Sequence, residues 1–175
     1  NNTSLYDGTS EIAAAPMNAA ATEKTKQLYQ FLQQNYGQKI VTGQYVSDSS
    51  GKELDEIYNI TGKYPLIRFA DMNAYSPNGG DETKATAVAD SLAWAEEGGV
   101  VGLSWLWNAP TGTASFYEKD TSFDLKTAVT DADVAGKSEE ELSKMVSNGE
   151  ITQNCYALIS DIDHISEALK PLADA

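Results

Sequence analysis

The chain has 175 residues, with 12 Lys and Arg against 26 Asp and Glu, a formal net charge of −14. That length supports one domain with a real core, and that charge leaves no basic face for a phosphate backbone, so neither nucleic acid nor an anionic membrane surface is an expected partner. One cysteine and one histidine exclude an internal disulfide and a His/Cys zinc site, and no apolar run reaches the roughly 18 residues of a membrane span.

Residues 1–21 read as an irregular lead-in. Their small apolar stretch EIAAAPMNAAA has no basic segment before it and is not read as a signal peptide. The spacing of Leu28, Phe31, Leu32 and Tyr36 predicts a helix over 22–36, stopped by Gly37. QKIVTGQYV, 38–46, predicts a short buried strand. Ser50 and Glu53 predict a capping box before the helix KELDEIYNI, which Gly62 ends. YPLIRFADM, 64–72, predicts the second strand, and AYSPNGGDE a loop. Over 81–97 the residues Ala85, Val88, Ala89, Leu92 and Ala95 predict one apolar helix face. VVGLSWLW, 100–107, predicts the third strand, followed by the long loop NAPTGTASFYEKDTSFDL. Ser138 and Glu141 predict the cap of a short helix, and 154–173 a strong final one that contains Cys155 as a core residue.

The pattern is a helix and then strand–helix three times. Short apolar strands between amphipathic helices imply an α/β fold with a parallel sheet covered on both faces. A doubly wound sheet would bind ligand at a switch point, but the first strand–helix turn, TGQYVSDSSG, lacks the glycine pattern of a phosphate loop. A (β/α)8 barrel typically needs about 250 residues, so three strands here make less than half of one.

Side chains alternate along a strand. Leu103, Trp105 and Trp107 should face one way, and Gly102, Ser104 and Leu106 the other, with Leu106 pointing inward. Either the tryptophans pack core, or they offer a stacking platform for the C–H face of a sugar at the carboxyl end of the strand. Phe116, Tyr117 and Phe123 among hydroxyls and acids in the next loop fit a carbohydrate better than a charged ligand. Of the 26 acids, any one of which is a poor candidate for catalysis, Asp71 is the better placed, at the end of the second strand near Tyr75; it could equally cap a helix or loop. Gln44, at the end of the first strand, could bond a ligand hydroxyl or, the slightly favoured reading, a neighbouring backbone group, and Arg68, if buried, needs a carboxylate. Asp120, Asp124, Asp131 and Asp133 lack a glycine-centred calcium-loop spacing, so no metal and no cofactor is expected.

The blocks KIVTGQ, TGKYPLIRFADMNAYSP, GGVVGLSWLWNAP, FYEKDTSFDL and DIDHISEALKPL occur in that order. As a set they resemble the glycoside hydrolase family 26 catalytic domain, the β-mannanases and their relatives. The resemblance implies a (β/α)8 barrel, of which this chain would be about the first three β/α units, with 22–175 as its amino-terminal half. It implies a secreted enzyme acting on β-mannan or a related plant polysaccharide by retaining hydrolysis. Retention uses two carboxyl groups about 5–5.5 Å apart. In the family both are glutamates after the fourth and seventh strands, so the resemblance places neither within a sequence ending at ALKPLADA, and no catalytic residue is expected here. Carried over by position, Asp71, Tyr75, Trp105, Trp107, Asn108, Phe116 and Tyr117 have sugar-binding roles. The family usually has a histidine where this chain has Leu106, and leucine can neither donate to a sugar hydroxyl nor orient a carboxylate. A half-barrel also leaves unpaired strand edges, which implies a second copy or a carboxyl-terminal half as partner. Two rivals follow: a non-catalytic carbohydrate-binding half-barrel, and an interaction domain in which the tryptophans are core.

Overall fold

The computed structural model describes residues 13–174; the first 12 residues of the expected lead-in lie outside the described residues. The chain divides into two units, Asn1–Thr42 and Gly43–Ala175.

In the first unit, residues 13–21 are irregular and α1 spans Glu23–Asn35. Thr22 caps it by accepting from the Thr25 amide at 3.2 Å. Tyr29 Oη and Gln33 Nε2, one turn apart, both donate to the Ala13 carbonyl, at 2.7 and 2.5 Å, and tie the lead-in to the helix.

The second unit holds a three-stranded parallel sheet in the order β1-β2-β3: β1 is Gly43–Tyr45, β2 Ile67–Asp71 and β3 Val100–Ser104. Helix α2, Lys52–Thr61, joins β1 to β2, and α3, Ala87–Glu96, joins β2 to β3. After β3 come the long loop, α4 (Glu139–Ser147) and α5 (Gln153–Asp174).

The strands are shorter than the apolar runs imply, for reasons visible at each end. The ladder of β1 starts at Gly43 opposite Ile67. It cannot run back to residue 38, because the matching stretch of the next strand contains Pro65, which has no N–H to give. At the other end Met72 N–H donates to the Ser104 carbonyl at 2.8 Å, and then residues Asn73–Tyr75 coil into a 3₁₀ turn. Residues 105–107 therefore have no strand partner, and both tryptophans lie beyond β3.

The Ser50–Glu53 capping box does not form. Gly51 starts α2 in a left-handed conformation, Ser50 turns its hydroxyl to Asp48, and Glu53 Oε1 accepts from the Ser47 amide at 3.1 Å. The box at Ser138 and Glu141 does form: Glu141 N–H donates to Ser138 Oγ at 3.3 Å and Ser138 N–H to Glu141 Oε2 at 2.8 Å. Such a cap contributes about 1 kcal/mol to its helix.

Helix α3 starts at Ala87 instead of 81, after a 3₁₀ turn that Asp81 caps. Its buried residues are Ala87, Val88 and Ser91, while Ala89 and Ala95 are exposed. A polar partner sets this rotation: Arg68, 5% exposed in β2, donates to Asp90 at 3.2 Å and to Ser91 Oγ at 3.4 Å. Asp90 is the charge partner, and the Ser91 hydroxyl adds a longer, weaker contact that an alanine could not make.

Among the described residues of this unit, helices pack on one face of the sheet. Val46, Ala70 and Met72 are buried with Val88 of α3 and Ile165 of α5, and Leu103 and Trp105 pack against them. On the opposite face Tyr45 and Phe69 are paired in register and stay 47% and 41% exposed. Phe69 lies over Gly102, where a Cβ would fall 2.3 Å from its ring. In a closed barrel this face is filled by side chains of further strands, which three strands cannot supply. A second core joins α4 to the start of α5 through Leu142, Met145, Ile151 and Cys155. Burial pushes the Cys155 thiol pKa up, so it stays an unreactive core group.

Candidate functional site

Two clefts open at the carboxyl ends of the strands, built by the loops that follow them. The turn after β2 and the start of the loop after β3 are held together by a chain of side-chain bonds centred on Asp71. Its Oδ1 accepts from the Asn73 amide at 2.7 Å; its Oδ2 accepts from Ser104 Oγ at 2.7 Å and from the Leu106 amide at 3.1 Å. Asn73 Nδ2 donates to the Leu106 carbonyl at 2.5 Å and to Asn108 Oδ1 at 3.0 Å. Asn108, 6% exposed, passes the connection on by donating to the Asn78 carbonyl at 2.9 Å, and Asn78 donates to the Ala109 carbonyl at 2.6 Å. Short polar side chains are the residues that can satisfy loop backbone in this way. Asp71 and Asn108 thus spend their polar atoms on the frame of the site.

Beyond this frame Trp105 and Trp107 stack, with ring centroids 4.6 Å apart and planes 18° from parallel. Each indole N–H is anchored separately. Trp105 Nε1 donates to Oγ of the buried Ser76 at 2.9 Å, and Trp107 Nε1 to Oδ2 of Asp161 at 2.6 Å. Tyr75 Oη donates to the Ala85 carbonyl at 2.9 Å and accepts from the Val88 amide at 3.3 Å, at the start of α3.

The larger cleft, about 820 Å³, is lined by Trp107, Asn108, Pro110, Phe116, Phe123 and Leu125 together with Thr121, Ser122 and Lys126. Tyr117 flanks it: its ring lies 4.4 Å from that of Phe116, and the two are 56% and 42% exposed. The second cleft, about 710 Å³, is more polar and includes Tyr45, Ser47, Asp48, Asp71, Asn73, Tyr75 and Thr86. The structure thus brings Trp107, Asn108 and Phe116 together in one cleft and puts Asp71 and Tyr75 in the other. Trp105 packs against the sheet core behind the indole stack. Gln44 donates to the neighbouring Tyr45 carbonyl at 2.6 Å.

Sequence reasoning missed Asp161. It lies on α5, is 4% exposed and holds Trp107. Its signal was an acid at position 161 between Leu158 and Ile165, within the buried stripe of the helix. Burial raises its carboxyl pKa above the ordinary 3.8, partly offset by the Trp107 bond and by His164. A carboxyl whose pKa is higher folded than unfolded binds more protons in the native state. It therefore stabilises the fold when protonated, and that contribution is lost as pH rises from about 3.8 through the raised folded value. Asp161→Asn keeps an acceptor for the indole and removes the buried charge. Urea midpoints across pH should show the variant gaining on the native chain above that window; a constant difference at every pH would contradict it.

Among the described residues, no group of three or more His, Cys, Asp or Glu is placed to hold a metal ion, and no helix is long and apolar enough to cross a membrane.

Comparison with known proteins matches this geometry to one family. Residues 17–175 match glycosyl hydrolase family 26. A mannan endo-1,4-beta-mannosidase of Thermothelomyces thermophilus is 33% identical over 168 residues, spanning 90% of this chain and 30% of that protein. Mannan endo-1,4-beta-mannosidase A of Piromyces sp is 30% identical over 181 residues, 95% of this chain and 26% of that protein. Among solved structures, the Podospora anserina GH26-CBM35 β-(1,4)-mannanase aligns with a TM-score of 0.71 at 29% identity, over 93% of this chain and 34% of that one. A β-mannanase from a symbiotic protist of the termite Reticulitermes speratus, complexed with gluco-manno-oligosaccharide, aligns in fold at 0.72 and 24% identity, over 93% of this chain and 49% of that one. The chain spans about 30% of the curated relatives it matches. Its three parallel strands, each followed by helix, are the opening units of a (β/α)8 barrel with the clefts at the face where such barrels place their sites. On the sequence match and the shared strand–helix order together, the chain belongs to glycosyl hydrolase family 26.

Proposed function

We propose that this chain is the β-mannan-binding portion of a retaining endo-β-1,4-mannanase, secreted, which hydrolyses glycosidic bonds only with a carboxyl-terminal half that contributes both catalytic glutamates. The observation that carries the reading is the 820 Å³ cleft, in which Trp107 and Phe116 offer ring faces among the hydroxyls of Ser115, Thr121 and Ser122 at the barrel's functional face. Aromatic faces take the C–H face of a pyranose, and the polar rim takes its hydroxyls. Asp71 is not assigned as nucleophile or acid, because three hydrogen bonds hold it as a connector between β2 and β3. The uncovered sheet face, with Tyr45 and Phe69, supports a barrel half as the partner, and a second copy is the alternative occupant.

One observation favours a second reading, a non-catalytic binding module. Leu106 stands where the family usually has a histidine, and it is 45% exposed with its backbone N–H and C=O both bonded inside the frame. No side-chain polarity is available there to orient a reacting group.

Incubated with galactomannan, the 175-residue chain should release no reducing ends but should be retarded in a galactomannan gel. Trp107→Ala should weaken that retention by about tenfold, the worth of one aromatic contact. Sustained hydrolysis by the chain would overturn the assignment of catalysis to the other half. Binding that persists in the completed enzyme without hydrolysis would favour the module.

A further inference from the structure

A group of aromatic rings lies at the opposite end of the strands from both clefts. Tyr58 is in the last turn of α2, Tyr64 in the α2–β2 turn and Trp94 in the last turn of α3. Tyr58 and Tyr64 stack with centroids 4.6 Å apart and planes 22° from parallel. Tyr64 meets Trp94 edge-on at 6.0 Å and 86°. Trp94 is anchored, its Nε1 donating to the Leu66 carbonyl at 3.2 Å. A hollow of about 260 Å³ beside them is lined by Tyr64, Pro65, Leu66, Trp94 and Glu97. Gly99 lets the indole lie against this turn, since a Cβ there would fall 2.1 Å from Trp94 Nε1.

The two tyrosines remain 45% and 51% exposed, and among the described residues no hydrogen bond reaches either phenol hydroxyl. The amino-terminal face of a (β/α)8 barrel ordinarily serves stability. Here the stacked pair instead keeps half of its ring surface open to solvent, beside the hollow at Trp94. We propose that this aromatic group is a second glycan-binding surface, separate from the cleft face, taking one or two rings of a neutral β-linked hexose chain. The stacked tyrosines give a platform for the pyranose C–H face, and their free hydroxyls give partners for sugar hydroxyls. Glu97 at the rim and the net charge of −14 disfavour an anionic ligand. Two half-exposed rings offer on the order of 200 Å², well under the about 800 Å² per partner of a stable protein interface, which argues against a second copy as the occupant. Such a surface would hold a polymer to the protein while the other face works on it. The ligand class rests on the family reading above; the location does not.

The test uses the intact chain with mannohexaose. Tetranitromethane nitration of Tyr58 and Tyr64, read by mass spectrometry, should fall several-fold with the sugar present, and equally so in Trp107→Ala, which reports on the cleft alone. In the Trp107→Ala background, Tyr58→Ala with Tyr64→Ala should weaken galactomannan retention by a further tenfold or so. If circular dichroism shows that variant to be unfolded, nitration of the native tyrosines decides. Unchanged nitration at mannohexaose concentrations up to its solubility overturns the proposal, whether or not the cleft binds. Protection that follows protein concentration instead of sugar also overturns it and identifies a second copy as the occupant.

Discussion

Replacing Asp90 with alanine is expected to destabilise the unit from 43 to 175 by about 3 kcal/mol, near the low end of the cost of breaking a buried ion pair. Arg68 sits in the central strand with its side chain 6% exposed, and Asp90, 29% exposed, is its carboxylate partner at 3.2 Å. Ser91 Oγ at 3.4 Å is too long and too weak to take over. The variant leaves a guanidinium that is 6% exposed with one neutral contact, to Ser91. The partial exposure of Asp90 lets some water reach the charge, which is why the upper end of the range is not expected. Urea unfolding should show a lower midpoint at constant slope. The double variant Arg68→Met with Asp90→Ala should recover most of the loss, because no buried charge then remains. A loss under about 1 kcal/mol in the single variant would mean that the guanidinium reaches solvent and does not fix the rotation of α3.

Gly80→Ala should cost about 2 kcal/mol, through crowding that backbone cannot relieve. A Cβ there would lie 2.3 Å from the Ser76 carbonyl oxygen, 2.6 Å from the Ala74 carbonyl oxygen and 2.9 Å from the Ser76 nitrogen. The Gly80 N–H also donates to the Ser76 carbonyl at 2.9 Å. Forcing this turn apart moves Ser76, whose Oγ holds the Trp105 indole. The effect should therefore appear twice: in the urea midpoint, and in the near-ultraviolet circular dichroism of the stacked indoles. Gly98→Ala is the contrast. Gly98 has φ of +86° with nothing within 4 Å of its Cβ position. It should show only the cost of a left-handed alanine, about 1–2 kcal/mol, with the indole signal unchanged. An unaltered indole signal in Gly80→Ala would separate the turn from the site.

Several features of the fold were legible because they depend on local chemistry. Helix α1 begins after Thr22 and α2 ends at Gly62, where single residues satisfy or terminate the helix. The box at Ser138 and Glu141 forms because nothing competes for either side chain. At Ser50 and Glu53 the same pattern fails, because Asp48 and Ser47 are nearer partners in the actual turn. Arg68 announced its need for a carboxylate, but which acid answered depended on how α3 packs. The apolar stripe read over 81–97 was displaced because that partner, not the count of alanines, orients the helix. Of the candidate site, the aromatic residues after β3 could be named from their spacing, and Trp107 and Phe116 do share a cleft. Asp161 could not be found by that route, since it acts from a helix 54 positions away along the chain.

Composition and block order alone determined the class of this protein. Alternating apolar strands and amphipathic helices imply a parallel α/β sheet, and five ordered blocks narrow it to one family, because both are properties of residue order. Tertiary structure decided where the strands stop, which sheet face is covered and which groups hold each indole. Those outcomes depend on partners distant in the chain: Pro65 ends one ladder, the coil at Asn73 ends another, and Ser76 and Asp161 anchor a tryptophan each. A side chain's local preference is worth about 1 kcal/mol or less, and a buried polar group left unpaired costs more than that. When the two compete the distant partner wins, and no reading of neighbours along the chain can show it.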